Sequence, residues 1–448
     1  MFNLYKKPLL ISALLLFSSA NLTATENNTY NLQQAIDHAL LNNPNLQIMQ
    51  DRIVQAEANL GIALSSFYPN IKTSLSYNHS TNPSQAFGMI IAQRRLDLSS
   101  PTIDFNNPGG TDNYRPEVSA RLSLFRGGQD YFQSKAAQLG VEAATFEKSA
   151  MRNQLIQTVS STFYAYLASV EADKVAIRSI EAVNRELTQS RNRYEAGSVL
   201  KSDLLSLQVQ LAQAQDTKIQ TANAIELAKI GLKSLLGITA DQAFEINASK
   251  QWQLPQSNQS FNELLTIAMV QRPETQSANK QIEIAQQQLN ASRGAYLPKA
   301  DAYVTYGSDS KNLDYSSNRD NVTAGVMVEM DIFSGFRDSN NIKKAEHQLA
   351  IAKKSAKQTQ LMIENAVKSA HLKVQEALAR IKVTSSSVTA AEEALRLVNE
   401  QRKAGTVTVT RYIEAEVAQD KSHARNIAAR FDALRAEAEL NRAIGSWK

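Results

Sequence analysis

The sequence predicts a mainly α chain with a membrane β-barrel portion, assembled by tandem duplication of one unit. Three observations carry this. Landmarks of the first half recur in the second at fixed offsets, heptad-patterned stretches far outrun ordinary globular helices, and each half interrupts its helices with two strictly alternating segments.

At the start, Lys6 and Lys7 precede an apolar run from Leu9 to Phe17 and then small residues, the pattern of a secretory leader. Residues 1–24 are expected to be removed, after Ala20 or Ala24. The run is about half of the ~20 apolar residues that a spanning helix needs, so no helical anchor is expected. The 448 residues hold no cysteine, which excludes disulfides, thiolate metal sites, cysteine nucleophiles and a lipid-bearing cysteine. The formal charge of +5 includes the two leader lysines, and the rest is scattered rather than gathered into a nucleic-acid-binding patch.

Pro44 and Pro273 lie 229 positions apart, as do Pro69 and Pro298. Gly127 and Gly335, Gly197 and Gly405, and Gly237 and Gly445 all lie 208 apart. Residues 25–237 therefore form one repeat and 261–448 a second, joined by a linker at 238–260, and the first repeat carries an insertion between Pro69 and Phe125. Each repeat reads helix, two strands, long helix, sharp turn, helix: in the first, 32–67, the strands, 129–195, a turn at Ala196-Gly197-Ser198, and 199–236. A 67-residue helix spans ~100 Å, and the two flanking helices together cover nearly the same length, so each repeat folds into one antiparallel hairpin. Leu204, Leu207, Leu211, Ala214, Lys218, Thr221, Ile225, Ala228, Leu232 and Leu235 alternate spacings of three and four, as do Val374, Ala377, Ile381, Thr384, Val388, Ala391, Leu395 and Val398. These are narrow coiled-coil seams.

The alternating segments have unlike faces. Ile71, Thr73, Leu75 and Tyr77 oppose Lys72, Ser74 and Ser76, and Val118, Ala120, Leu122 and Leu124 oppose Glu117, Ser119, Arg121 and Ser123. In the second repeat Ala302, Val304 and Tyr306 oppose Asp301, Tyr303 and Thr305, and Val322 to Ile332 alternate against Thr323, Gly325, Met327, Glu329 and Asp331. Lys72, Glu117, Arg121, Asp301, Glu329 and Asp331 all fall on the less apolar side, which is the expected lumen face. A basic residue on a lipid-facing strand costs ~2 to 4 kcal/mol at mid-bilayer, so the sorting fits lipid outside and water inside. Four strands close no barrel; two chains would give eight strands and three would give twelve.

The sequence here resembles the TolC-like outer membrane efflux protein family over essentially the whole mature chain. The residues that carry the resemblance are the doubled Asn-Pro and Tyr-Pro/Leu-Pro brackets, Leu124-Phe125-Arg126-Gly127-Gly128 with Ile332-Phe333-Ser334-Gly335-Phe336, and the turns around Ala196-Gly197 and Ala404-Gly405. The resemblance implies an outer-membrane homotrimer with a twelve-stranded barrel and a periplasmic α-helical tunnel, docking a periplasmic adaptor and an inner-membrane pump of an efflux or type I secretion system. It further implies a charged periplasmic aperture, carried over to Asp203, Arg411 and Glu414, and adaptor-contact tips at Gly197, Val199, Gly405 and Val407. Arg411 stands where the family pattern would place an acid.

No catalytic or cofactor site is expected. His38, His79, His347, His371 and His423 form no paired metal spacing, and neither a phosphate-cradling loop nor a nucleophile elbow occurs. The insertion at 80–114 lies between paired strands and either plugs or decorates the outer mouth, and 238–260 is expected to belt the helices. A periplasmic adaptor normally has one helical hairpin flanked by Gly-rich lipoyl-like strands, which this sequence lacks, and a coiled-coil scaffold would explain the seams but not the sorted strands.

Overall fold

The computed structural model describes residues 29–99, 104, 106–239, 241–247, 252–255 and 259–447; the leader expected at 1–24 lies outside them. In chain order the first half contains β1 (Thr29–Tyr30), α1 (Leu32–Asn42), α2 (Pro44–Leu64), β2 (Asn70–Ser80), α3 (Pro83–Ala92), β3 (Thr111–Arg126), α4 (Gln129–Glu195) and α5 (Lys201–Leu236). After β4 (Glu245–Ile246) come α6 (Phe261–Gln271), α7 (Pro273–Arg293), β5 (Lys299–Ser308), β6 (Asp320–Glu329), α8 (Arg337–Lys403) and α9 (Val409–Ile444). Helices recur in equal pairs: 11 residues for α1 and α6, 21 for α2 and α7, 67 for α4 and α8, 36 for α5 and α9. Helix α3 has no counterpart among the described residues.

The single helix expected over 32–67 is broken at Pro44, which lacks the N–H that would continue it and holds Asn43 extended at ψ 124°. Asn43 caps α2 through Asn45 N (2.9 Å), while its Nδ2 donates to the Leu235 carbonyl (2.8 Å). The break thus receives the end of α5. Gly237 follows at φ 71°, packed so closely on Asn42 that a Cβ would strike its carbonyl, and Gly445 sits likewise against Gln271 and Arg272. Two shorter helices meeting end to end in this way line the length of one long helix.

The largest core lies at this junction. Ile36, Leu46, Val159, Phe163, Leu167, Leu232 and Leu236 are buried together, with Leu434 from α9. The described part of the linker joins them: β4 pairs in parallel with β1, Phe244 is buried, and Trp252 sets its edge against Phe163 and Tyr164. Away from this core the seams close the hairpins through Leu207 and Ala214, and through Val374, Ala377, Leu395 and Val398. Polar seam positions are paired: Thr221 donates to Asp173 (2.7 Å) and Asn426 to Thr384 (3.1 Å). No described helix is long and apolar enough to cross a membrane.

The four long strands form one antiparallel sheet, ordered β2-β3-β5-β6. The helices joined directly to it, apart from α3, leave from one end, and the described parts of the connections 81–110 and 309–319 lie at the other. Two expectations are corrected. Strand β6 stops at Glu329 rather than Ile332, because Lys299, its last partner, is where β5 begins. A register shift between Ser123 and Phe125 makes Leu124 the extra residue of a bulge, so Phe125, paired with Ala300, takes the apolar position expected for Leu124.

Candidate functional site: the sided sheet and the hairpin tips

Cross-strand partners point to one face of a sheet, so the register assigns every side chain. Ile71 pairs with Ala120, Ala120 with Val304 and Val304 with Ala324; Thr73 pairs with Val118, Val118 with Tyr306 and Tyr306 with Val322. Leu75, Leu122, Ala302, Val326 and Val328 complete this apolar face. It is largely bare in the single chain: Ile71 is 71% exposed and Val326 65%. The opposite face carries Lys72, Glu117, Arg121, Asp301 and Glu329. Asp331 follows the end of β6 and has no register position; it sits between Lys299 (3.7 Å) and Arg337 (3.4 Å).

Aromatic residues mark both ends of the apolar face. At the far end Tyr77 packs on Tyr114 (4.8 Å between centroids) and the Tyr306 and Tyr315 hydroxyls meet at 2.7 Å. At the helix end Tyr68, Tyr296 and Phe333 are exposed. Nine residues from Tyr68 to Tyr77 at ~3.3 Å each and a tilt of ~40° give a height of ~23 Å, against ~25 Å for the apolar band of membrane barrels.

At the other pole the hairpins turn on Gly197 (φ 73°) and Gly405 (φ 74°), left-handed positions where a side chain would be strained. Ser198 N bonds the Arg193 carbonyl (2.8 Å) and Thr406 N the Gln401 carbonyl (3.0 Å), closing both helix ends. Gly197 and Gly405 are exposed, while Val199 is half-buried and Val407 packs partly on Leu395, Val398 and Tyr412. Asp203 lies in the first turn of α5. Arg411 donates to Glu414 at 3.1 Å, with both exposed, so the acid carries its own counter-charge.

Above the tips the two hairpins are joined by a buried cross-link. Arg402 of α8 donates through Nε to Glu186 of α4 (2.7 Å) and through Nη2 to Ser190 (2.9 Å), and its guanidinium lies 5.8 Å from the Tyr412 ring centroid. Arg402 is 5% exposed and Glu186 9%. The adjoining open groove, about 510 Å3, is lined by Arg178, Arg185, Glu416, Asp420 and His423 among others. Burial and the neighbouring Asp420 carboxylate push Glu416 up to about 7, and burial raises Asp420 as well. The Tyr412 hydroxyl is raised by burial and by Glu416 and Glu186. Among the described residues no group of side chains suits a metal ion.

The family profile described as outer membrane efflux protein matches residues 35–238 and 264–446. The chain belongs to the outer membrane efflux protein family. The outer membrane efflux protein BepC of Brucella suis is 23% identical over 91% of this chain and 83% of its own. The outer membrane protein TolC of Vibrio cholerae is 21% identical over 93% and 91%. The fold is shared with the crystal structure of the Campylobacter jejuni CmeC outer membrane channel, at a TM-score of 0.78 and 17% identity over 92% of this chain and 85% of that one.

This outer membrane efflux protein holds one arrangement that sequence reasoning missed, the Arg402–Glu186–Ser190 link. Its signal lay in the comparison of the two repeats. At an offset of 208, Glu186 and Ser190 correspond to Ala394 and Val398, and Arg402 to Tyr194. The three polar residues therefore have no polar counterparts bonded in the same way in the other repeat, and they meet where one hairpin touches the other.

Proposed function

We propose that three copies of this chain close a twelve-stranded barrel in the outer membrane and continue it as a helical tunnel toward the inner membrane. The channel is passive, and a periplasmic adaptor and inner-membrane pump of an efflux or type I secretion system deliver cargo to the tips at Gly197, Val199, Gly405 and Val407. The observation that carries this reading is the sided sheet with two open edges, β2 and β6. Unpaired backbone groups in lipid cost several kcal/mol each, so the bare apolar face can meet lipid only if sister chains pair with both edges. Lys72, Glu117, Arg121, Asp301 and Glu329 then line a water-filled lumen.

At the lower mouth, threefold repetition sets Asp203, Arg411 and Glu414 around a narrow aperture where charge biases ion passage. The Arg411–Glu414 pairing makes that ring weaker than a bare acidic one. The Arg402–Glu186 link, one per chain, ties α8 to α4 just above it and favours a constricted mouth.

The test is extraction from outer membranes. Heat-labile trimers in mild detergent, giving conducting channels in planar bilayers, are expected; a stable monomer in detergent-free buffer would refute the reading.

A further inference from the structure

The structure places α3, which the duplication does not explain, on the polar face of the sheet at the end away from the helices. Asn82 caps it through Ser84 N (3.1 Å) and Pro83 starts it, so this is a well-formed helix. It packs on β2 and β3 with Ala86 buried. Gln93, just past its end and 1% exposed, donates to the Asp112 carbonyl (2.7 Å) and to Asn113 Oδ1 (2.9 Å).

Asn113, Arg115 and Glu117 share the face of Lys72 and Arg121, since Glu117 pairs with Ser74 and Gly307. Under Gln93 they form a closed polar network. Asn113 donates to Asp309 (2.7 Å), Arg115 reaches Asp309 (2.5 Å), Glu117 (2.9 Å) and Asn321 (3.0 Å), and Asn321 returns a bond to Asp309 (3.0 Å). Arg94, at φ 52°, then stretches to the Asp320 carbonyl (3.3 Å), where β6 begins. The helix therefore lies over β2 and β3, held there by Gln93, and the Arg94 side chain extends from its end to β6.

We infer that α3 is an exit constriction: a helix folded into the lumen that limits the size of solutes passing the outer mouth. This rests on the trimeric barrel proposed above. Twelve strands spaced ~4.8 Å and tilted ~40° set their backbones on a circle only ~24 Å across, so a helix ~10 Å wide lying on the inner face of each chain takes up much of the width at that level. The segment's exposed residues include Ile91, Arg94 and Arg95, and no acid lies between Pro83 and Arg95, so its surface is apolar to basic.

The cysteine-free chain makes a direct test available. Ser74→Cys reports the polar face beneath α3, and Thr73→Cys the apolar face beside it. Intact cells are treated from outside with membrane-impermeant maleimides, one small and one attached to a polymer wider than the gap. Two further backgrounds are compared: 83–92 replaced by a Gly/Ser linker, and the milder Gln93→Ala/Arg94→Ala, which should loosen the clamp if the linker variant fails to assemble. In the parent the small reagent should label Ser74→Cys and the large one should not. Either variant should raise large-reagent labelling roughly tenfold or more, as expected when the hydrogen bonds that hold the segment on the sheet are removed. Large-reagent labelling that is equal in parent and variants overturns the constriction. If Thr73→Cys instead reacts with the small reagent as fast as Ser74→Cys, the sided barrel itself is wrong.

Discussion

Glu416 holds its proton to about pH 7 because burial and the Asp420 carboxylate disfavour its charge more than Arg185 and the Tyr412 hydroxyl favour it. An unfolded glutamate ionises near 4.5. Below that value both states are protonated and the neutral side chain contributes its full stability. Between 4.5 and 7 the unfolded chain loses the proton and the folded chain keeps it, so stability falls as pH rises, and it levels off above 7. Integrated over that window the loss is on the order of 3 kcal/mol per chain. Thermal unfolding of the purified protein, followed from pH 4.5 to 8, should show this decline, and Glu416→Gln should flatten it; an unchanged slope in the variant would assign the effect elsewhere. None of this was legible in the sequence, where Glu416 is one of many helix acids. Asp420 and Tyr412 lie on its own helix, but Arg185 and Glu186 of α4 reach it only when the two hairpins dock. Arg411 and Glu414 are marked in the sequence only as aperture positions, and their i, i+3 contact comes from the structure.

Elements were easier to read than contacts. The ends of α4 and α8 follow from glycines at left-handed positions and the seams from spacing alone, because both are local properties of one or two helices. The breaks at Pro44 and Pro273 were visible as landmarks, yet their consequence was not, since it depends on α5 and α9 ending against them. What holds one hairpin to the other was likewise hidden: Glu186 and Arg402 are separated by 216 positions. Removing one partner of a buried pair leaves an uncompensated charge and costs about 3 to 5 kcal/mol, whereas replacing both by apolar residues of similar volume is often close to neutral. Arg402→Ala should therefore lower the unfolding temperature sharply, and Arg402→Leu with Glu186→Leu should recover most of it. Equal losses in the single and double variants, measured by circular dichroism in detergent, would show that the link contributes little beyond packing.

Across the whole molecule the decisive quantity is which side of the sheet meets lipid. The alternation of β2, β3, β5 and β6 was legible because a period of two is visible in any strand, whereas the bulge at Leu124 was not, since an extra residue leaves the local pattern intact until the partner strand is known. Val326 and Met327 are consecutive on β6 and face opposite ways, Val326 beside Ala302 and Met327 beside Asp301. Arginine at the lipid face near mid-bilayer costs ~2 to 4 kcal/mol per chain, which threefold assembly multiplies to ~6 to 12. Beside Asp301 the same side chain gains a counter-charge and water. Val326→Arg should abolish trimers in the outer-membrane fraction, and Met327→Arg should leave them intact while shifting ion selectivity in bilayers toward anions. The pair shares strand, residue introduced and depth, so a general folding defect would strike both alike. Only a sheet with lipid on one face and water on the other separates them, and the opposite ranking would turn the barrel inside out.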